Sequence, residues 1–311
     1  MSGEYDLVVV GGGIAGLSAA LTGARLGRRV AILTGGAIGG QLVSIEKIEG
    51  VPGFAEPVPG YDFCPIAQEQ AAAAGAQFFM AEADALQHDG ELWKISSAEG
   101  ELWAPGVVIA TGARFAKLGV PGEERLVGRG VSECASCDAP LLRGKTTVVA
   151  GGGDSGLQEA LTLAAHVDKV ILLERGQALT GQASYRQEVA ANPKIELRFG
   201  QEIVEILGEA AVTGVRIRDR GGAETEEQTA AVFAFVGLAP NSGLVEGVAP
   251  LDGAGRLRVD AAMRSPVKGL AAAGNVREGS PHRAAAAMGD GATAALALDR
   301  YLATGEWREA D

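Results

Sequence analysis

The sequence predicts an α/β protein of two Rossmann-like ββα nucleotide-binding domains, the second inserted into the first. Three observations carry that expectation. The chain begins with a strand, a glycine turn and a helix. The same order returns from Thr146 onward, and the C-terminal part supplies a further strand and helix that complete the first unit.

The first unit opens with the apolar run Asp6-Leu7-Val8-Val9-Val10, turns at Gly11-Gly12-Gly13, continues as a helix from Ile14 to Leu26 and reaches a second strand from Arg29 to Leu33. The second unit repeats this with a strand over 146–150, a turn at Gly151-Gly152-Gly153, a helix over 154–166 with a Leu/Ala face, and a strand over 169–173. Such spacing is far too wide for a solenoid and means two nucleotide-binding units. Between them lie a Pro/Gly-rich segment from Gly50 to Gly60, an Ala-rich helix from Ile66 to Ala74, and strand runs that end in Val107-Val108-Ile109-Ala110-Thr111-Gly112. Strand-like runs at 212–217 and 231–236 follow the second unit, and then Leu270-Ala271-Ala272-Ala273-Gly274-Asn275 leads into a long helix from about Arg283 to Leu302. The tail therefore places residues 1–115 and 247–311 in one domain and residues 116–246 in the inserted one.

With 311 residues the chain has room for two cores. Its 46 glycines suit close helix-to-strand packing and tight turns that face a ligand. A net charge of -12 argues against nucleic-acid or membrane-surface partners, because phosphates would be repelled. No apolar run approaches the ~20 residues of a membrane helix, and a strand begins too early to leave room for a signal peptide. A cytoplasmic protein is the expectation. Only Cys64, Cys134 and Cys137 occur, which excludes a secreted disulfide framework.

Gly11-x-Gly13-x-x-Gly16 follows a strand and opens a helix, the context in which such glycines make the turn, admit a pyrophosphate to the backbone and let helix meet strand. The helix N-terminus then faces the phosphates. Its second strand ends in Thr34-Gly35-Gly36, without the usual ribose-binding acid. Gly151-x-Gly153-x-x-Gly156 repeats the fingerprint, with Ser155 inside it, and here Glu174 stands at the end of the second strand. A carboxylate there accepts from a ribose 2′-OH and repels a 2′-phosphate, so this site favours NAD(H), or the adenosine half of FAD, over NADPH. The single positive charge of Arg175 blunts that inference without cancelling it. Gly153-Asp154-Ser155-Gly156 is no serine nucleophile loop, since it starts a helix within a dinucleotide fingerprint.

Cys134-Ala135-Ser136-Cys137-Asp138 is the remaining chemical signature. Two thiols at this spacing close a small disulfide, and one can act as thiolate while the other resolves a mixed disulfide. A zinc half-site is the alternative, but zinc usually takes four ligands, and His88, His166 and His282 are not in paired spacing. Asp138 is either a proton shuttle for the leaving thiolate or a carboxylate that caps a helix. Cys64, without a partner, reads as a buried small hydrophobe.

These motifs, with Ala110-Thr111-Gly112-Ala113, Gly39-Gly40-Gln41-Leu42, Glu49-Gly50-Val51-Pro52-Gly53, Gly130-Val131-Ser132, Phe235-Val236-Gly237-Leu238-Ala239-Pro240-Asn241, Ala273-Gly274-Asn275-Val276 and Arg283-Ala284, closely resemble the low-molecular-weight thioredoxin reductases over nearly the whole chain. The resemblance implies FAD in the outer domain, NADPH and the cysteine pair in the inserted one, and a rotation that presents the flavin to each in turn. It places the FAD pyrophosphate at Gly11, Gly13 and Gly16, with Gln41 approaching the isoalloxazine and Asn275, Arg283 and Ala284 on the ribityl and ring edge. Ile14, Ala15, Gly40, Thr111, Gly112 and Gly274 complete that set. Gly151, Gly153, Ser155, Gly156, Glu174 and Arg175 form the second dinucleotide set. Cys137 is then the sulfur against the flavin, and Cys134 the one that attacks a thioredoxin-like protein or small disulfide. A homodimer is implied as well.

The departures matter as much. The family's His-Arg-Arg stretch and later Arg are here Glu174-Arg175-Gly176 and Leu179-Thr180, and its Ala-Gly-Asp is Ala273-Gly274-Asn275. Gly50 stands where the family commonly has Asn. The expectation is therefore a thiol-disulfide oxidoreductase whose electron donor is not NADPH: NADH, a second FAD in the second site, or a ferredoxin. The alternative is a dithiol oxidase that makes disulfides and passes electrons to oxygen. A flavoprotein with a binding or sensing role and an idle second domain is a third reading, which the intact cysteine pair disfavours.

Overall fold

The structure, a computed structural model, describes residues 3–36 and 38–307. Its helices are α1 (Ile14–Arg25), α2 (Gly60–Ala73), α3 (Ala135–Asp138), α4 (Asp154–Ala164), α5 (Ala183–Ala191) and α6 (Ala284–Thr304). The chain divides into two compact units, Met1–Arg114 with Ala239–Asp311, and Phe115–Leu238.

In the first unit a parallel sheet has the order Leu270–Ala272, Gly106–Ile109, Leu7–Val10, Val30–Leu33, Gln77–Phe79. The central strands read as unbroken apolar runs because both faces are covered. Leu7, Val9, Val30, Ile32 and Val108 point to α1 and α6, whereas Val8, Val10, Ala31, Leu33 and Ile109 point to Trp93, Ile95 and Leu102. Those last three residues belong to a second sheet in which Ala83–Asp89, Leu92–Ser97 and Gly100–Ala104 run antiparallel. Fully burying each Val or Leu contributes about 1.5–3 kcal/mol, so the sandwich is held from two sides.

The second unit repeats the plan. Its parallel sheet runs Val131–Ser132, Ala231–Ala234, Thr146–Ala150, Lys169–Glu174, Ile195–Phe199. Val149, Val170, Leu172 and Phe233 face α4 and α5, and Val148, Ile171, Leu173 and Val232 face Ile203, Ile206, Val215 and Ile217 of the antiparallel sheet 201–228. The strand expected over 212–217 is Gly214–Asp219, because Val212 instead donates its N–H to Arg129 O in the segment leading into Val131–Ser132. The helix expected from Ile66 starts at Gly60 and accommodates Pro65 in its interior.

The return crossing between the units lies at residues 238–239 rather than after residue 246. The physical reason is local. Asn241 locks onto Thr111 and Gly112 through three hydrogen bonds, and Val245 is fully buried in the core with Val8 and Leu270.

Candidate active site

The two glycine turns share one geometry. Gly11 (φ +117°) and Gly151 (φ +115°) adopt backbone that L side chains rarely reach, and a Cβ on Gly16 or Gly156 would fall 1.9 Å from the carbonyl oxygen of Gly11 or Gly151. Only glycine lets these helices start so close to the strand. Gly13 and Gly153 are the N-caps of α1 and α4, and neither helix has a side-chain cap, which leaves backbone N–H groups for an anion. Nothing lies within 4 Å of a Cβ placed on Gly13. Ile14 and Ala15 turn their side chains into the core, so only their backbone can contribute to the cradle.

Around the first turn, Gly40 (φ +57°) packs so that its Cβ would be 3.2 Å from Gly13 Cα. Gln41 follows in the 3₁₀ turn Gly40–Ser44 and accepts at Oε1 from Asn275 Nδ2 (3.2 Å). Its Nε2 is buried and has no protein partner, a donor that calls for an acceptor. Asn275 Oδ1 accepts from Ser280 Oγ (3.1 Å) and faces His282 Nδ1 (3.1 Å). His282 sits in left-handed backbone (φ 56°). Partial burial, then the charges of Arg256, Arg283 and Arg277, hold this histidine below its ordinary range. The turn that carries Gly274 and Asn275 is gripped from α6. Asp290, 6% exposed, accepts from Gly274 N (3.1 Å) and from Arg277 Nε (2.7 Å) and Nη2 (2.8 Å). Arg283 is the N-cap of α6 and Ala284 its first residue. An unpartnered buried amide, an uncapped helix and an open glycine cradle together fit a dinucleotide with a polar ring edge.

Around the second turn, both Glu174 oxygens are engaged by the backbone. Oε2 accepts from Gly152 N (2.7 Å) and Oε1 from Gly176 N (2.5 Å). Arg175 and Ser155 are exposed. Asp154 Oδ1 accepts from Gln182 N (2.6 Å), and Thr180 N donates to Gly152 O (2.9 Å), so the 180–182 loop is tied to the glycine turn.

Cys134 and Cys137 form a disulfide in the same unit. Cys134 is the N-cap of α3, and its Sγ accepts from Cys137 N (3.3 Å) and lies 3.4 Å from Ser136 Oγ. Ser132 Oγ takes the N–H of Cys134 (3.1 Å), and Glu159 Oε2 takes that of Ala135 (2.9 Å). Cys137 is exposed and Cys134 half-buried. Asp138 makes no capping hydrogen bond to the turn that follows it. Among the described residues no three His, Cys, Asp or Glu side chains gather as a metal site. Cys64 is fully buried, and burial pushes its thiol up to about 11.

Sequence reasoning missed Ser280, His282, Asp290 and Glu159.

Two glycine cradles and a two-residue-spaced disulfide define a dinucleotide-dependent disulfide oxidoreductase. The chain belongs to the pyridine nucleotide-disulphide oxidoreductase family, whose model matches residues 5–291. It is 37% identical to the thioredoxin reductase of Treponema pallidum over 305 residues, 98% of this chain and 99% of that protein. Among solved structures, the thioredoxin reductase of Lactococcus lactis in its FR conformation superposes with a TM-score of 0.94 at 32% identity, covering 96% of this chain and 99% of the other. The thioredoxin reductase of T. acidophilum does so with a TM-score of 0.92 at 33% identity, covering 96% and 99%. The protein is a thioredoxin reductase-like flavoprotein disulfide oxidoreductase, and its cofactor is FAD. No helix among the described residues is long and apolar enough to cross a membrane.

Proposed function

We propose that this chain moves electron pairs between FAD on the first unit and the Cys134–Cys137 disulfide, and onward to the disulfide of a thioredoxin-type protein, with an electron donor other than NADPH. The observation that carries the reading is the closed Cys134–Cys137 pair, set in a turn where the Cys137 N–H and the Ser136 hydroxyl both face the Cys134 sulfur. Bound FAD supplies the two-electron chemistry that opens the disulfide. Gly11, Gly13 and Gly16 would hold its pyrophosphate, and Gln41 Nε2 and the Asn275 turn its polar ring edge and ribityl chain. Thr111, Gly112, Arg283 and Ala284 border the same cradle.

Reduction breaks the S–S bond and takes up two electrons and two protons. Negative charge is then favoured on Cys134, because the Cys137 N–H and the Ser136 hydroxyl both face that sulfur. The Cys134 thiolate attacks a sulfur of the partner disulfide. Cys137 resolves the mixed disulfide and the partner leaves as a dithiol. Asp138, uncapped and half-buried, is suited to return a proton to the leaving sulfur. Leu141, 82% exposed and four residues after Cys137, offers an apolar contact for the partner protein.

Exclusion of NADPH rests on Glu174. Its carboxylate is fixed at the end of the second strand by two backbone donors, where a 2′-phosphate would meet it. Arg175 alone is a weak counterweight. NADH or a second FAD suits the Gly151–Gly156 turn better. Anaerobic titration of the purified protein with NADPH and NADH in turn tests the donor: bleaching by NADH and not NADPH supports a nicotinamide in the second site. Two flavins per chain supports a second FAD. Efficient bleaching by NADPH contradicts the reading. Oxygen uptake on addition of a dithiol alone would favour a dithiol oxidase instead.

A further inference from the structure

We infer that Glu159 is a positioning residue for the redox disulfide, fixing the cysteine turn and setting the reducing strength of the pair; this rests on the disulfide chemistry proposed above. Four backbone donors in the turn have defined acceptors. Cys134 N donates to Ser132 Oγ, Ala135 N to Glu159 Oε2 (2.9 Å), Cys137 N to Cys134 Sγ and Asp138 N to Cys134 O. One of these acceptors is a carboxylate brought in from another element. Glu159 lies in the second turn of α4, and Ala135, fully buried, packs in one core with Leu157, Ala160 and Leu163 of that helix. The carboxylate is therefore held at the residue next to the Cys134 sulfur, on the helix that also opens the second glycine cradle.

The consequence is electrostatic. The closed disulfide carries no charge, whereas the reduced pair gains one when a thiolate forms. A fixed negative charge beside the turn disfavours only the anionic reduced form. It therefore lowers the potential of the pair and strengthens it as a donor to the partner. It also weakens the reverse reaction, in which a dithiol would reduce this disulfide. In the sequence around the pair, Glu133 and Asp138 flank the two cysteines, Arg143 ends the next turn, and Asp154 begins α4 with its Oδ1 held by Gln182 N. None of these is a hydrogen-bond acceptor for the Ala135 N–H, which goes to Glu159.

The test uses the full-length flavin-bound protein and Glu159→Gln, which keeps an oxygen acceptor for Ala135 and removes the charge. The reduced variant should be alkylated by iodoacetamide at pH 7 about three- to tenfold faster than wild type, its pH profile should move to lower pH, and the disulfide should be reduced at a higher potential in dithiothreitol redox buffers. Glu159→Asp keeps the charge and withdraws it by one methylene; it should fall between wild type and Glu159→Gln, and it serves if the Gln variant does not fold. Glu133→Gln, on an exposed residue, should change neither rate nor potential. Rate and potential within twofold of wild type in the folded Glu159→Gln protein, or an equal shift in Glu133→Gln, would overturn the inference. Cys137→Ser separates the two claims: if it keeps disulfide reductase activity, the disulfide reading itself fails, whatever Glu159 does.

Discussion

The two glycine cradles are near copies, and they differ where the second strand ends. Gly12 of the first faces Thr34, whose hydroxyl donates to Phe79 O (3.2 Å), while Gly152 of the second faces the carboxylate of Glu174. One turn is lined by a neutral group that is satisfied within its own sheet, and the other by a charge fixed by the turn itself. The origin of the fifth strand differs too. In the first unit it is Leu270–Ala272, from beyond the insertion; in the second it is Val131–Ser132, from just before the cradle. Identical backbone chemistry thus serves two sites whose specificity is written in the residues after the second strand and in the turns that border the cradle. In the first unit the neighbouring turns carry Gln41 and Asn275, and in the second the helix that opens the cradle holds the disulfide turn through Glu159.

The strongest way to break this comparison is to spoil each cradle separately. Gly16→Ala puts a Cβ 1.9 Å from Gly11 O and should yield a protein that has lost at least about tenfold of its flavin affinity, whereas Gly156→Ala, with the same clash, should stay yellow and lose reduction by NADH. Flavin content and anaerobic bleaching measure both. Should Gly156→Ala instead release half of the bound flavin, the second cradle holds FAD. Equal flavin loss from both variants without a second flavin in wild type would erase the distinction.

Next in size is the removal of the charge that separates the cradles. Glu174→Ala loses two hydrogen bonds to an ionised acceptor, each worth about 1.5–3 kcal/mol before relaxation, and should lower the thermal midpoint while narrowing the preference for NADH over NADPH. The comparable change in the first unit, Thr34→Ala, should cost only about 1 kcal/mol. Thermal denaturation with and without each nucleotide reads both effects. Leu141→Lys, outside either cradle, should raise KM for a thioredoxin-type substrate about tenfold, with little change in kcat for flavin reduction.

The smallest effects are in pH dependence, and they fall in different windows. His282 in the first unit is held below 6.5, its ordinary value, so the folded state resists its protonation and stability falls as pH drops through the unfolded value near 6.5. Glu196 in the second unit is held at about 2 by hydrogen bonds from Arg198 (2.6 Å) and Lys169, so its contribution is complete above 4.5 and fades as pH falls from there to about 2. His282→Asn should remove the first window, since asparagine keeps a donor and tolerates left-handed backbone. Glu196→Gln should flatten the second. Glu196 and Lys169 are well exposed to solvent, so screening keeps that effect small. Thermal midpoints from pH 7 to pH 3 test the pair of assignments.

Both cradles, the second from Thr146 to Glu174 in particular, were legible because periodicity, glycine spacing and strand composition agree there. The antiparallel sheets over 83–104 and 201–228 were only partly legible: the strand at Gly214–Asp219 was anticipated two residues early, whereas Glu224–Gln228 carries no apolar alternation and is specified by pairing with it. The start of α2 was hidden by Pro65, which removes one backbone donor but is tolerated within the helix. In the site, the cysteine pair and the glycines announce themselves. Glu159 and Asp290 do not, because each acts through a tertiary hydrogen bond to a turn 24 or 16 residues away. Ser280 and His282 are invisible for the same reason: only the folded turn brings them to Asn275.

The central claim is that electrons pass between the flavin and the Cys134–Cys137 pair. Anaerobic addition of dithiothreitol to the purified yellow protein, followed by its visible absorbance, is the direct measurement. Wild type should bleach, and the Cys134→Ser/Cys137→Ser protein, with its flavin intact, should bleach at least about a hundredfold more slowly. Equal rates in the two proteins would contradict the account.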